Sequence, residues 1–152
     1  MSRKRENVRQ CKAIRQLIDD NKYTKALELI DAIPLEEVGS LDDLYRYAEL
    51  YEKAERMDKK KEIFYHIYHR THSRYMLNRL LRLTIRMGDM EEARELYFAY
   101  EVAGPITLDT FELRYLLAKA EGEPPERLIQ ILEELKKEEY TEEWGFRLAC
   151  LY

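Results

Sequence analysis

Apolar side chains recur along the whole chain with the period of an α-helix. Three clear sets occupy positions i, i+3, i+4 and i+7, or part of that pattern: Ala26, Ile30 and Ile33; Ala93, Leu96, Tyr97 and Tyr100; and Leu128, Ile131, Leu132 and Leu135. Each set forms one apolar stripe on an amphipathic helix. The pattern predicts nine helices, at about 6–20, 23–33, 41–57, 59–70, 74–87, 90–103, 108–121, 125–138 and 142–152.

Short polar breaks separate the predicted helices. Pro34 ends the second helix, because proline has no amide proton and clashes with the preceding turn. Gly88 and Asp89 end one helix and start the next, with Asp89 as the N-cap. Ser40 and Thr141 are further N-cap candidates, since acidic residues follow each of them in the first turn.

Composition agrees with an all-α fold. Of 152 residues, 45% are apolar and 37% charged, while only 5 are glycine and 4 proline, which leaves few residues for a turn-rich sheet. No apolar run is long enough to cross a membrane, and residues 1–15 do not resemble a secretory signal. Cys11 and Cys150 lie at opposite ends of the chain without metal-binding spacing, so we expect reduced thiols in a cytoplasmic protein.

Charge is strongly segregated along the chain. Residues 56–86 contain nine basic and two acidic side chains, whereas residues 87–152 contain seven basic and sixteen acidic ones. The formal net charge of -4 hides this contrast. A basic middle segment beside an acidic C-terminal half indicates either a charged partner or pairing within the chain.

The helices form pairs that resemble one another. Equivalent positions in the first helix of each pair are Gln10, Tyr47, Leu77, Phe111 and Leu148, with steps of 37, 30, 34 and 37 residues. The best unit runs from Leu77 through Leu80, Leu81, Gly88 and Ala93 to Tyr97. In its period and its spacing of apolar, small and glycine residues the chain resembles the tetratricopeptide repeat (TPR) family. Three features depart from that family: the first, second and last turns lack glycine, Ile63 stands where alanine is expected, and the repeat lengths vary.

The resemblance implies an all-α, right-handed superhelical solenoid of antiparallel helix pairs. One TPR-like domain would cover residues 1–152, with units at about 6–38, 41–72, 74–104 and 107–139 and a lone terminal helix at 141–152. Trp144, Leu148 and Leu151 share one face of that helix, and no second helix follows. We therefore expect either a fragment of a longer array or self-association through this end. Another α-solenoid family, or a compact helix bundle without repeats, stays an alternative.

In TPR proteins the first helices of the pairs line a concave ligand-binding face. The resemblance places seven residues of this chain on that face: Tyr45, Tyr75, Asn78, Arg79, Arg82, Ile85 and Arg86. Arg79, Arg82 and Arg86 fall within an arc of about 60° on one helix and form a single stripe. Guanidinium groups bind carboxylates through paired hydrogen bonds. The expected function is therefore a scaffold that binds a peptide or partner helix, and acidic positions in that partner would suit the arginine stripe. The alternative for the stripe is a solvated face, or arginines paired with the acidic half.

Other chemistry has less support. The basic segment 56–86 permits a second function, binding of RNA or another nucleic acid, which the acidic C-terminal half opposes. His66 and His69 lie one turn apart and are weak metal candidates, since no acidic or thiol ligand shares their turn and His72 falls beyond the helix end. We find no phosphate-binding loop, nucleophile elbow or zinc-protease motif, so the sequence predicts neither an enzyme nor a cofactor.

Overall fold

The computed structural model of this protein describes residues 2–139. This part of the chain is helical and has no β-strand. Its helices are α1 (Ser2–Asp19), α2 (Tyr23–Ala32), α3 (Leu41–Lys53), α4 (Met57–Thr71), α5 (Arg74–Met87), α6 (Met90–Val102), α7 (Leu108–Ala120) and α8 (Pro125–Glu139), with one 3₁₀ turn at Leu35–Glu37. Eight predicted helices are therefore confirmed. The ninth, at 142–152, lies outside the described residues, as do Thr141, Trp144, Leu148 and Leu151.

The chain divides into two compact units between His72 and Ser73. In the N-terminal unit, α1 packs on α2, α2 on α3, and α3 on α4. In the C-terminal unit, α5 packs on α6, α7 contacts both α5 and α6, and α8 packs on α7. Each unit has its own apolar core, built around Ile14, Leu44 and Ile63 in the first and around Leu80, Leu81 and Leu113 in the second. No helix within residues 2–139 is long and apolar enough to span a membrane.

Four helix-to-helix turns have the same backbone geometry. Each places one residue in the left-handed region, namely Asn21, Glu55, Gly88 and Gly122, with φ of 58°, 59°, 81° and 77°. The last of these turns therefore does contain a glycine, Gly122, and the expectation that it lacks one is wrong. In each turn the amide of this residue donates to the carbonyl three residues earlier, and the next amide donates five residues back. This pair of hydrogen bonds is the Schellman motif. The four residues are spaced 34, 33 and 34 residues apart, so the chain repeats one local structure at a nearly constant interval.

This interval corrects the sequence alignment of the second helix pair. The sequence predicted one helix over 41–57, but α3 ends at Lys53 and α4 begins at Met57. The break predicted at about residue 58, between helices 41–57 and 59–70, was therefore placed too late, because Glu55, not glycine, adopts the left-handed conformation. Counting from the four turns, Leu44 is equivalent to Leu77, three residues before the position the sequence suggested.

A second consequence concerns the small residue expected after each turn. Five residues after the left-handed position stand Ala26, Lys60 and Ala93 in the first three pairs. All three are buried. Lys60, rather than Ile63, therefore occupies the position of the expected alanine. Its side chain forms an ion pair with Glu52 at 3.0 Å, which compensates for its burial.

Two predicted N-cap residues, Ser40 and Asp89, accept hydrogen bonds at the starts of their helices. The Ser40 hydroxyl accepts a hydrogen bond from the Asp43 amide at 3.4 Å, and the Asp89 carboxylate accepts one from the Glu92 amide at 3.3 Å. Both predicted N-caps are confirmed. Ser73 caps α5 in the same way, through the Met76 amide. His72 lies beyond the end of α4, as predicted, and has a left-handed backbone with φ of 51°.

Candidate interaction site

Helix α5 separates a core face from a polar stripe. Its buried residues are Met76, Leu77, Leu80, Leu81, Leu83 and Thr84. On an ideal helix these residues point away from the direction of Arg82. The remaining arc carries the six predicted site residues of this helix: Tyr75, Asn78, Arg79, Arg82, Ile85 and Arg86. Each of the six is half-buried or exposed. The stripe therefore lies outside the core of the unit. Its side chains are accessible there to a ligand.

Arg82 is the best-defined polar group of the stripe. Its Nε donates to Oδ1 of Asn78 at 2.7 Å, one turn earlier on the same helix. Its Nη1 donates to Oε1 of Glu112 on α7 at 3.1 Å. The Asn78 bond fixes the orientation of the guanidinium plane, because it holds the Nε end of the fork. The other end points at a carboxylate. Asn78 therefore holds Arg82 in position, and Arg82 binds a carboxylate of the chain itself, that of Glu112.

Tyr75 and Arg79 lie at the N-terminal end of the stripe. Tyr75 is 62% exposed. The guanidinium carbon of Arg79 lies 5.8 Å from the centre of that ring, within the range of a cation–π contact. At the other end, Ile85 is half-buried and Arg86 is exposed. The stripe therefore presents an aromatic, an aliphatic and several polar side chains on one surface.

Three further predicted residues lie in the N-terminal unit. Tyr45 is half-buried on α3. His66 is half-buried and His69 exposed on α4, where His69 stacks on Tyr65 with 6.3 Å between ring centres. Among the described residues no three potential metal ligands come together.

The basic segment 56–86 is largely engaged in contacts within the chain. All nine of its basic residues interact with other groups of the chain. Arg56 pairs with Asp31, Lys59 with Glu62, Lys60 with Glu52, Arg70 with the carbonyls of Val38 and Gly39, Arg74 with the carbonyl of Tyr100, and Arg82 with Glu112. The charge concentration that the sequence indicated is thus reduced by internal pairing.

Arg114 on α7 contacts both α6 and α8, a role that the sequence did not predict. From α7, its Nε donates to the Tyr97 hydroxyl on α6 at 3.0 Å, and its Nη1 pairs with Glu134 on α8 at 3.4 Å. Burial opposes its charge, but the contacts with Tyr97, Glu101 and Glu134 outweigh that effect and raise the pKa of Arg114. Its partners are 13 to 20 residues away in the chain, so only the packing of helices brings them together.

A second polar network lies in the N-terminal unit. The Tyr51 hydroxyl donates a short hydrogen bond to the carboxylate of Asp31 on α2, and Arg56 Nη1 donates to the same carboxylate at 3.0 Å. Burial alone would raise the pKa of Asp31, but these two donors outweigh it and lower that pKa below its ordinary value. Burial, and then the bond to Asp31, raise the pKa of Tyr51. These hydrogen bonds link α2 to the C-terminal part of α3 and to the residues that follow it.

Comparisons with known proteins add no relative. No family model, no curated protein and no solved structure matches this chain. Over residues 2–139 the protein is all-helical, and one type of turn recurs at intervals of 34, 33 and 34 residues.

Proposed function

We propose that this protein is a TPR-like helical repeat, a right-handed solenoid that serves as a protein-interaction scaffold. The support is the recurrence of one Schellman turn at intervals of 34, 33 and 34 residues, because a helix–turn–helix unit of about 34 residues is the period of the TPR. Buried alanines follow two of the turns at the same distance, at Ala26 and Ala93. In such an array no helix pair buries its apolar faces alone, so neighbouring pairs stabilise one another.

The proposed ligand is a peptide or partner helix that carries carboxylates beside apolar side chains. It binds the face formed by α5 and α7. The observation that carries this proposal is the Arg82–Glu112 pair, since Asn78 fixes the guanidinium and a carboxylate already lies 3.1 Å from it. A carboxylate of the partner replaces Glu112, while Tyr75 and Ile85 contact its apolar residues. A scaffold of this kind needs no catalytic group and no cofactor.

A peptide suits this surface better than nucleic acid. Affinity for nucleic acid comes mainly from free lysines and arginines that contact phosphates. In segment 56–86, all nine basic side chains already interact with other groups of the chain, and Lys60 is buried. Glu112 and the acidic half add repulsion beside the stripe. The buried free thiol of Cys11 fits the reducing cytoplasm in which we expect the protein to act.

The test is binding of the full chain to an array of immobilised twelve-residue peptides that vary in acidic and apolar content. We expect retention of peptides with alternating Glu and Leu and none of their Lys counterparts. The double variant Arg82→Glu, Arg86→Glu should lose about tenfold or more in affinity, because one charge-assisted hydrogen bond contributes about 1.5–3 kcal/mol. A matched control reverses two exposed charges on α8, Arg127→Glu and Lys136→Glu, and should bind as the unaltered protein does.

A second arm uses Glu112→Gln. This change weakens the internal competitor without adding bulk, so it should strengthen binding of the acidic peptide by about two- to fivefold, since exposed ion pairs contribute about 0.2–1 kcal/mol. Circular dichroism must give the same helix content for all variants. Equal affinity of the Arg82→Glu, Arg86→Glu variant and the control would refute the site. Selective retention of single-stranded RNA would instead support the nucleic-acid function.

A further inference from the structure

The N-terminal unit contains a cavity of about 190 Å³. It lies between α2, the 3₁₀ turn at Leu35–Glu37, and helices α3 and α4. Sites for whole small molecules or cofactors have volumes of about 300–1,000 Å³. The cavity is below that range, and corresponds to about six water molecules at their liquid volume. Its size therefore suits one long side chain of a partner rather than a complete cofactor.

The floor of the cavity is apolar. Ile30, Ile33 and Ile63 contribute to its lining and are 2%, 6% and 1% exposed. Pro34 and Leu35 add further apolar surface at the level of the 3₁₀ turn. The isoleucines are already almost fully buried, so an alkyl stem would cover mainly the exposed Pro34 and the half-buried Leu35, which is favourable in proportion to the area covered.

The polar part of the lining carries an excess of negative charge. Three carboxylates, those of Asp31, Glu36 and Glu62, face one ammonium group, that of Lys59. Asp31 stays ionised because Tyr51 and Arg56 donate to it, and its pKa is lowered. Lys59 lies 3.5 Å from Glu62 and both are exposed enough to rearrange, at 39% and 59%. Glu36 is exposed at the mouth. One negative charge is therefore in excess even when Arg56 is counted.

We propose that this cavity binds the side chain of a lysine or arginine presented by a partner protein. The alkyl stem contacts Pro34 and Leu35 above the buried isoleucines, and the cationic head lies between Glu36 and Glu62 at the opening. Lysine and arginine combine an alkyl stem with a cationic head, and they commonly bury the stem while the head remains near water. An acidic side chain would instead meet three carboxylates. The proposal concerns only the N-terminal unit and does not depend on the α5–α7 face.

The test is an NMR titration of the full chain with blocked tripeptides in which lysine, arginine, norleucine or glutamate stands between two glycines. The basic peptides should shift backbone amides of the cavity residues, with a dissociation constant in the millimolar range, since few atoms make contact. Norleucine has the same stem as lysine without its charge, so it isolates the contribution of the cationic head. We expect it to bind at least about fivefold more weakly, and glutamate to give no shift in these residues.

Two variants should change the affinity in opposite directions. Glu36→Gln with Glu62→Gln removes the rim charges and should weaken binding of the lysine peptide by about tenfold, which corresponds to about 1.4 kcal/mol. Lys59→Met removes the internal cation and should strengthen binding about two- to threefold, the expected size for an exposed pair. Glu49→Gln is the control, since Glu49 is exposed and lies on the side of α3 opposite Tyr51.

Three results would overturn the proposal. One is equal binding of the norleucine and lysine peptides, which would make the cavity an apolar site without charge selection. Another is the same loss of affinity in all variants, because damage to the fold does not produce changes of opposite sign. The third is the absence of shifts in the cavity residues at peptide concentrations of about 10 mM, where millimolar binding is near saturation.

Discussion

Replacing Tyr51 with phenylalanine removes one hydroxyl from the interior of the N-terminal unit. Tyr51 is 3% exposed, and its hydroxyl donates to the Asp31 carboxylate. Tyr47, one turn earlier on α3, is fully buried, but its hydroxyl makes no hydrogen bond of ordinary geometry. It lies beside the thiol of Cys11, a weak hydrogen-bonding group. Tyr47→Phe is therefore a control for the same atom change in an equally buried place on the same helix.

The two substitutions should differ by about 2 kcal/mol in the free energy of unfolding. A hydrogen bond to a charged group contributes about 1.5–3 kcal/mol. The Asp31 side chain is 40% exposed, so water replaces part of the lost bond, and Tyr51→Phe should destabilise by about 1–2 kcal/mol. A buried hydroxyl without a partner is unfavourable, so Tyr47→Phe should be neutral or should stabilise by up to about 1 kcal/mol.

The effect of Tyr51→Phe should depend on pH in a defined direction. The pKa of Asp31 is lowered below its ordinary value of 3.8 in the folded protein. Its charged hydrogen bonds therefore contribute fully above about pH 3.8, where the unfolded chain is also ionised, and less as the pH falls through the lowered pKa. We expect the difference between Tyr51→Phe and the unaltered protein to narrow as the pH falls below about 3.8 and through the lowered pKa of Asp31. Tyr47→Phe should show no such dependence on the ionisation of Asp31.

Urea unfolding followed by circular dichroism measures both effects. Unchanged slopes against urea would attribute the shifts to stability rather than to a change in the surface exposed on unfolding. Because the chain forms two compact units, a far-ultraviolet signal should be compared with tyrosine fluorescence, since the units need not unfold together. Equal stability of the two variants would refute the reasoning, as would a penalty for Tyr51→Phe that is the same at pH 7 and pH 2.5.

Two further predictions concern single positions in the described helices and turns. Lys60→Met should leave stability unchanged or raise it. Glu52→Ala should be less stable than Lys60→Met by at least about 1 kcal/mol, because it removes the partner that lies 3.0 Å from a buried ammonium group. Thermal unfolding of both variants measures this difference. Gly88→Ala should destabilise by about 1 kcal/mol since its φ is 81°, and Glu55→Gly should stabilise by about 0.5–1 kcal/mol at the same position of an earlier turn. Gly39→Ala, with open space around its Cβ and an ordinary φ, should stay within about 0.5 kcal/mol, and equal changes at Gly39 and Gly88 would contradict the conformational argument.

Most helix positions could be predicted from local sequence, because each amphipathic helix carries its own stripe and its own cap. Asp89 after Gly88 marks a boundary that the structure reproduces to the residue. The end of α3 was wrong by four residues since Glu55 carries no sequence signal for a left-handed backbone. That single missing glycine also displaced the alignment of the second pair, so that Tyr47 was taken for the equivalent of Leu77 in place of Leu44.

The candidate site was predictable only along one helix. Spacing alone puts Asn78 and Arg82 on the same face, and the 2.7 Å bond between them agrees with that prediction. The partner of Arg82 was not predictable, because Glu112 is 30 residues away and one of sixteen acidic side chains after residue 86. Asp31, which meets Tyr51 twenty residues later, was missed for the same reason. Contacts between helices depend on packing, which the periodicity of either helix does not contain.

In the C-terminal unit, one ion pair links the basic segment 56–86 to the acidic half, and two others lie within the acidic half. These ion pairs join different helices: Arg82 of α5 with Glu112 of α7, Arg94 of α6 with Glu121 beyond α7, and Arg114 of α7 with Glu134 of α8. Each exposed pair contributes only about 0.2–1 kcal/mol to the free energy of unfolding. The pairs therefore contribute more to the choice of which helix faces meet than to the stability of the unit.

Arg82 of α5 already pairs with a carboxylate of the chain, so a net charge of +7 over residues 56–86 is no direct measure of what this surface attracts. The acidic partner that we propose would therefore exchange one ion pair, that of Arg82 with Glu112, for another. The exchange gains little energy from charge alone. Selectivity then depends on how well the orientation of the Arg82 guanidinium, which Asn78 fixes, matches the incoming carboxylate and on the apolar contacts that Tyr75 offers beside it.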